Sequence, residues 1–257
     1  MIEHAYFRNS RNFVFARIFI LLWIIPSCFA LQGYGQAFSE ENYQFRFDAG
    51  TSLQCPEDDK FIGSRPGLPE EPTRVGIGVF FLQIHQIDDV KETFDADVLY
   101  MRYWRDPRLA EPSRGDSYAF CRLPIDGFWI PEPEIENLRD LKEKRGGYLL
   151  IDGKGNVLLM QQLTLTIFNQ MDSREFPFDR QILQLRLQPL FASAKEMILY
   201  PLKKYVQKAA NLYVNGWKIE DLLVETGTDY ALLRGTSFST MQIRVPVFRE
   251  KIFLFAN

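Results

Sequence analysis

Residues 169–183, Asn-Gln-Met-Asp-Ser-Arg-Glu-Phe-Pro-Phe-Asp-Arg-Gln-Ile-Leu, separate two runs of strict two-residue alternation. Before them, Leu163, Leu165 and Ile167 alternate with Thr164 and Thr166. After them, Leu183, Leu185 and Leu187 alternate with Gln184, Arg186 and Gln188. This is the pattern of two half-buried antiparallel strands, so the stretch between must connect them. The connection is long for a hairpin, and its tip, Phe176-Pro177-Phe178, is apolar where a loop meeting only water is polar. An aromatic residue ahead of proline admits a cis bond that holds the loop in one shape. A long, stiff, apolar-tipped connection is built to touch something.

The rest of the chain carries more strand signals. Val75–Ile84 is apolar on both faces, as a central strand would be. After the acidic turn Asp88-Asp89-Val-Lys-Glu92, Phe94, Ala96, Val98, Tyr100 and Trp104 alternate with more polar neighbours. Phe128–Pro131, Tyr148–Ile151, Met197–Leu202, Trp217–Val224 and the row Ile243, Val245, Val247 are further strands. Asp152-Gly-Lys-Gly-Asn156 reads as a hairpin turn into Val157–Met160. Glu136–Arg145 and Lys203–Ala210 are expected as short helices or loops. Short strands at this spacing, in a chain with 22 Phe and 11 Tyr, predict an all-β twisted sandwich of about ten strands, immunoglobulin-like.

At the N-terminus Arg8, Arg11 and Arg17 precede the apolar run Ile18–Ile25, and Cys28-Phe29-Ala30 offers small residues for cleavage. Residues 1–30 are therefore read as an export signal, with a retained anchor as the other reading and a lipoprotein site disfavoured by Pro26. Their removal takes away three Arg and one Glu, leaving 27 basic against 32 acidic residues, a balance that gives nucleic acid no electrostatic footprint. Residues 31–72, rich in Pro and Gly, are expected to be a loosely structured extension with one short strand at Tyr43–Phe47. The sandwich then occupies 73–250. Residues 251–257 turn apolar, as if a hydrophobic segment were beginning there. In an exported chain Cys55 and Cys121 are either bridged or two separate thiols. A bridge over their 66-residue separation would contribute on the order of 4 kcal/mol.

Catalytic chemistry is not written in this chain. After residue 30 the one histidine is His85, inside an apolar strand. There is no metal-type Cys/His cluster, no phosphate loop and no nucleophile elbow, so neither a metal, a cofactor nor an enzyme is expected. The charged groups that stand out are the Asp89/Glu92 turn, Asp179 after the apolar tip and Arg249 at the end of the last strand. They either converge at one end of the sandwich, with an Arg between carboxylates, or are solvated separately.

These residues, taken together, resemble the pentameric ligand-gated ion channels. Phe176-Pro-Phe-Asp-Arg-Gln181 resembles the signature loop of that family. Trp104-Arg-Asp106-Pro-Arg108-Leu109 resembles its W-x-D-x-R-L, and Trp129-Ile-Pro131 with Asn137 its W-x-P…N stretch. Gly216-Trp217 matches a further dipeptide and Arg249 the arginine ahead of the first membrane helix. The matches fall in family order across residues 73–257. The animal receptors close the signature loop with a disulfide. Here the corresponding positions are Asn169 and Leu183, a departure that resembles the prokaryotic branch.

The resemblance implies a twisted β-sandwich ligand-binding domain, five copies in a homo-pentamer, each followed by a membrane domain on which the loop rests. It implies that the domain lies outside the cell membrane, where Asp89, Glu92, Phe176, Pro177, Phe178, Asp179 and Arg249 couple binding of a small molecule or proton to the pore. The family's ligand sites fall on Glu136, Leu190, Phe191 and Tyr230, with Leu99 where a facing aromatic is often found. A complete aromatic cage for an amine is therefore missing, and Asp89 and Glu92 become candidate titrating groups. A stand-alone soluble binding protein of the same fold is the alternative.

Overall fold

The computed structural model describes residues 64–68, 70–114, 118–122 and 128–250, all within one compact unit, Gln44–Asn257. The expected signal at residues 1–30, the strand at Tyr43–Phe47 and Cys55 lie outside the described residues. Eleven strands appear among the described residues: β1 Thr73–Asp88, β2 Thr93–Arg105, β3 Ala119–Arg122, β4 Pro133–Ile135, β5 Leu138–Ile151, β6 Asn156–Phe168, β7 Arg180–Pro189, β8 Met197–Lys208, β9 Trp217–Ile219, β10 Leu223–Ala231 and β11 Thr236–Arg249. They form a six-stranded sheet in the order β3-β5-β6-β2-β1-β8 and a second sheet in the order β10-β11-β7-β4, with β9 added beside β11.

The two-residue alternation dictates how the sheets pack. On β7 every odd position from Gln181 to Pro189 is buried, and on β11 Ser239, Met241, Ile243, Val245 and Val247 are buried between half-exposed neighbours. One apolar cluster joins them to Val79, Phe81, Val98 and Leu165 of the six-stranded sheet, so the molecule is the sandwich that the patterning predicts. Each fully buried Leu, Ile or Phe in it contributes roughly 1.5–3 kcal/mol. β1 is buried on both faces for a further reason. Gly76 and Gly78 point away from the core, and Tyr200, Leu202 and Tyr205 of β8 lie so close that a Cβ on either glycine would meet their side chains.

Several elements differ from the sequence expectation. The strands are longer than predicted, β1 running 16 residues. Residues 138–145 and 203–208 are strand, not helix or loop. The Asp152 hairpin feeds β5 back along β6, and β8 pairs in parallel with β1. Hydrogen bonding to a neighbour overrides the helical preference of their Lys, Arg and Glu residues. Phe128–Pro131 is outside any strand, in a stretch where Pro131 and Pro133 lack the N–H that a ladder requires. Trp217–Val224 divides into β9 and the start of β10.

The Trp104–Leu109 stretch ends β2 on a 3-10 turn, Pro107–Leu109. Asp106, buried, accepts from the Arg108 backbone N–H at 3.1 Å and from its guanidinium at 2.8 and 2.9 Å. Trp104 packs edge-on against Trp129, centroids 6.3 Å apart. Gly155 closes this corner: its carbonyl accepts from Asp106 N at 2.8 Å. Its φ of +78° is in the left-handed region, and a Cβ there would collide with the Asp106 carbonyl oxygen. Gly155→Ala therefore destabilises the fold by roughly 2–4 kcal/mol through backbone strain and overpacking together, read as a fall in thermal midpoint. A midpoint equal to wild type refutes this account of the corner.

Candidate functional site: a polar end to an apolar core

The inward-facing rows change character at one end of the sandwich. On β6 the row Leu163, Leu165, Ile167 continues to Asn169. On β7, read backwards, Leu185 and Leu183 lead to Gln181 and Asp179. On β11 Val245 and Val247 lead to Arg249. Asn169, Asp179 and Gln181 are each at most 5% exposed. Polar groups buried in this way have to satisfy one another.

Arg249 and Asp179 do so most directly. Arg249 Nε donates to Asp179 Oδ1 at 2.7 Å and Nη2 to Oδ2 at 3.2 Å, a bidentate fork. The same Nη2 donates to Asp89 Oδ2 at 2.9 Å. One guanidinium thus joins the end of β11, the approach to β7 and the β1–β2 turn. Trp217, its register partner on β9, stacks over it at 4.2 Å, and Phe176 lies at 5.0 Å. Burial pushes the Asp179 carboxyl up, but the Arg249 and Gln181 hydrogen bonds outweigh it and hold the group below the usual carboxylate value. Arg249 is pulled down by burial and raised on balance by the hydrogen bonds it donates to Asp179 and Asp89.

The loop between β6 and β7 is braced from inside. Gln181 accepts from Asp172 N at 2.9 Å and donates to Asp172 O at 2.7 Å and to Asp179 Oδ2 at 2.8 Å. Its amide ties the loop's two limbs together and orients the carboxylate that Arg249 meets. At the root, Asn169 Oδ1 accepts from Gln184 N at 2.8 Å, and Asn137 Nδ2 donates to Phe168 O and Gln184 O, each at 2.8 Å. Leu183 is core. Side-chain amides thus hold the loop root at the positions where the family resemblance would have put a disulfide. The Phe176–Pro177 bond is cis, and Phe176 and Phe178 are more than half exposed. Across from them Glu92 has a left-handed φ of 53°, uncommon for a non-glycine residue. Its carbonyl accepts from Asn169 N at 2.8 Å, and its carboxylate faces Met171 N at 3.4 Å.

Other sequence-predicted positions are elsewhere. Glu136 pairs with Arg186 at 3.0 Å. Leu190 is half-buried, and Phe191 and Tyr230 are exposed with no ring contact between them among the described residues. These four do not form a closed cage. Behind them is a group that sequence reasoning missed. Arg102, 7% exposed, donates to Pro131 O at 2.8 Å and Gln161 Oε1 at 2.5 Å and lies 5.4 Å from the Tyr100 ring. Burial lowers the Arg102 pKa and lifts that of Tyr100 to about 12. Asp106, Arg108, Trp104, Trp129 and Pro131 brace the opposite corner. His85 is half exposed, its Nε2 3.0 Å from Asp97. Cys121 is buried and disulfide-bonded, while Cys55, its candidate partner, is not among the described residues.

Comparison with known proteins follows the same lines. Residues 62–245 match the neurotransmitter-gated ion-channel ligand binding domain. The proton-gated ion channel of Gloeobacter violaceus is 26% identical over 160 residues, 62% of this chain and 44% of that protein. The human gamma-aminobutyric acid receptor subunit rho-3 is 26% identical over 216 residues, 77% of this chain and 44% of that one. The mouse 5-hydroxytryptamine receptor 3A is 22% identical over 189 residues, covering 71% and 38%. The chain spans less than half the length of these relatives.

Two outcomes are expected from this geometry. Because Asp179 is depressed in the folded state, its stabilisation is complete above the ordinary carboxylate pKa of about 3.9 and fades only as pH falls below it. In Arg249→Gln the buried carboxylate loses its cation and titrates at higher pH, so acid-induced loss of structure, followed by tryptophan fluorescence and circular dichroism, begins at higher pH than in wild type. Gln181→Leu keeps the volume but strands the Asp172 backbone groups, at a cost of roughly 2–3 kcal/mol. Tryptic cleavage after Arg174 should accelerate in that variant, and an unchanged rate would refute the bracing role.

Proposed function

The chain belongs to the neurotransmitter-gated ion-channel ligand-binding domain family, and from that premise we propose that it is the extracellular binding domain of a pentameric channel subunit. Residues 1–30 export it, 31–72 lead into the sandwich at 73–250, and 251–257 approach a first membrane helix. Five identical subunits surround a pore in a prokaryotic cell membrane. Binding of a small molecule or of protons to the domain opens that pore.

The observation that carries this reading is the bridge from Arg249 to both Asp179 and Asp89 beside the exposed Phe176 and Phe178. A rotation of the β1–β2 turn against the β6–β7 loop exchanges contacts within this knot. Those two segments therefore carry a change in the sandwich to whatever the apolar tip rests upon. Val90, 92% exposed at the tip of the β1–β2 turn, gives the same end a second apolar contact. The ligand reading follows from what the site lacks. Glu136 is engaged by Arg186, and Leu190 stands where an aromatic would be needed to hold an amine. Protons are favoured by this lack, and by the name of the Gloeobacter relative. Asp179 is excluded as the proton switch in mild acid, since its depressed pKa leaves it charged there. That leaves the two carboxylates of the turn, Asp89 and Glu92, as the candidates.

The test is a chimaera joining this domain, through Arg249, to the pore domain of the Gloeobacter channel. Currents evoked by acidification in the chimaera, and their loss in Arg249→Ala, are expected. Wild-type currents from the Arg249→Ala chimaera refute the coupling role. A chimaera that reaches the surface as a pentamer but conducts under no tested ligand or pH favours the soluble-binder alternative.

A further inference from the structure

Three outward-facing residues at the same end of the second sheet take no part in the Arg249 knot. Phe248 on β11 stands in register with Arg180 on β7 to one side and with Lys218 on β9 to the other. The residues next to them, Val247, Gln181 and Trp217, are buried, so parity places all three on the outer face. The Arg180 guanidinium carbon lies 5.7 Å and Lys218 Nζ 5.2 Å from the centroid of the Phe248 ring. Neither cation has a carboxylate within ion-pair distance among the described residues, although most neighbouring charges, from Arg174 to Arg249, are paired. Glu220 and Glu250, two residues beyond Lys218 and Phe248, are left without a salt bridge to either.

Two unpaired cations over one ring are held by its quadrupole, and an anion shared between them would offset their mutual repulsion. Ile182, 47% exposed, adds apolar surface two residues beyond Arg180. Cations, an aromatic ring and an exposed aliphatic side chain together are the composition of a surface that meets a bilayer interface. We propose that Arg180, Lys218 and Phe248 form a docking site for the phosphate headgroup of an anionic membrane lipid. The bilayer is chosen over a soluble phosphate because Phe176 and Phe178 expose their rings at this end. That choice rests on the function proposed above, in which this end faces the membrane.

The experiment compares co-sedimentation of the full chain with vesicles of phosphatidylcholine alone and of phosphatidylcholine with roughly one-third phosphatidylglycerol. Residues 1–30 are present in every variant, so their contribution cancels. Wild type should favour the anionic vesicles. The double variant R180Q/K218Q should bind them about 30-fold more weakly, from two basic groups near an anionic surface, with an unchanged thermal midpoint. The control K203Q/K204Q, which removes two exposed charges from β8, should bind as wild type. Equal losses in the two double variants, or equal binding to both vesicle types, overturn the site. Inorganic phosphate that protects Lys218 from acylation in a vesicle-free sample, with vesicle binding unaffected by R180Q/K218Q, overturns the lipid in favour of a soluble anion. A silent chimaera with vesicle binding that still depends on Arg180 and Lys218 would remove the channel reading and leave the lipid site in place.

Discussion

Asp179 is a carboxylate with 1% of its side chain exposed, and such a group is tolerated only where a cation and hydrogen-bond donors are brought to it. The cation is Arg249, 70 residues later in the chain. Bringing it there requires β7 and β11 to pair in register, which in turn sets Val245 against Leu183 and Val247 against Gln181. It also requires the β1–β2 turn to approach from the other sheet, since Asp89 accepts from the same Nη2 that reaches Asp179. Buried pairs of this kind often add little net free energy once desolvation is counted, while removing one partner is strongly destabilising. This one brings three segments together.

The division of the molecule into a dry body and a wired end follows from this. Above the knot the rows are Leu, Ile and Val, close-packed and unable to deform gradually. Below them the rows become Asn169, Gln181, Asp179 and Arg249, whose directional bonds have discrete alternatives. The amide clamps at the loop root matter for the same reason. A disulfide would lock the two limbs covalently, whereas Asn169 and Gln181 hold them with bonds that open individually.

Much of this end was readable in advance. The alternation flanking the β6–β7 loop, the apolar tip and the charge of Asp179 and Arg249 are all local in sequence. Gln181 was legible too, because it shares the parity of Leu183 and Leu185, and a polar residue in a core row calls for buried partners. Asn169 announces itself in the same way beyond Ile167. What misled was composition: β5 is rich in Lys, Arg and Glu, β8 carries Lys203, Lys204 and Lys208, and only their pairing with β6 and β1 makes them strands. Arg102 carried the same signal, since it shares the parity of Val98, Tyr100 and Trp104, but only the tertiary structure supplies its partner, the Pro131 carbonyl.

The amino-acid sequence alone determined the sandwich and its inward faces, because side-chain direction in a strand alternates with a period of two whatever the strand pairs with. It also determined that the β6–β7 loop would be apolar at its tip. Tertiary structure alone decided that Asp89 and Asp179 share the Arg249 guanidinium, that Glu136 is paired with Arg186, and that Phe248 stands between two cations. Each of these depends on register between segments distant in the chain, and a shift of a single residue in pairing turns every side chain to the opposite face.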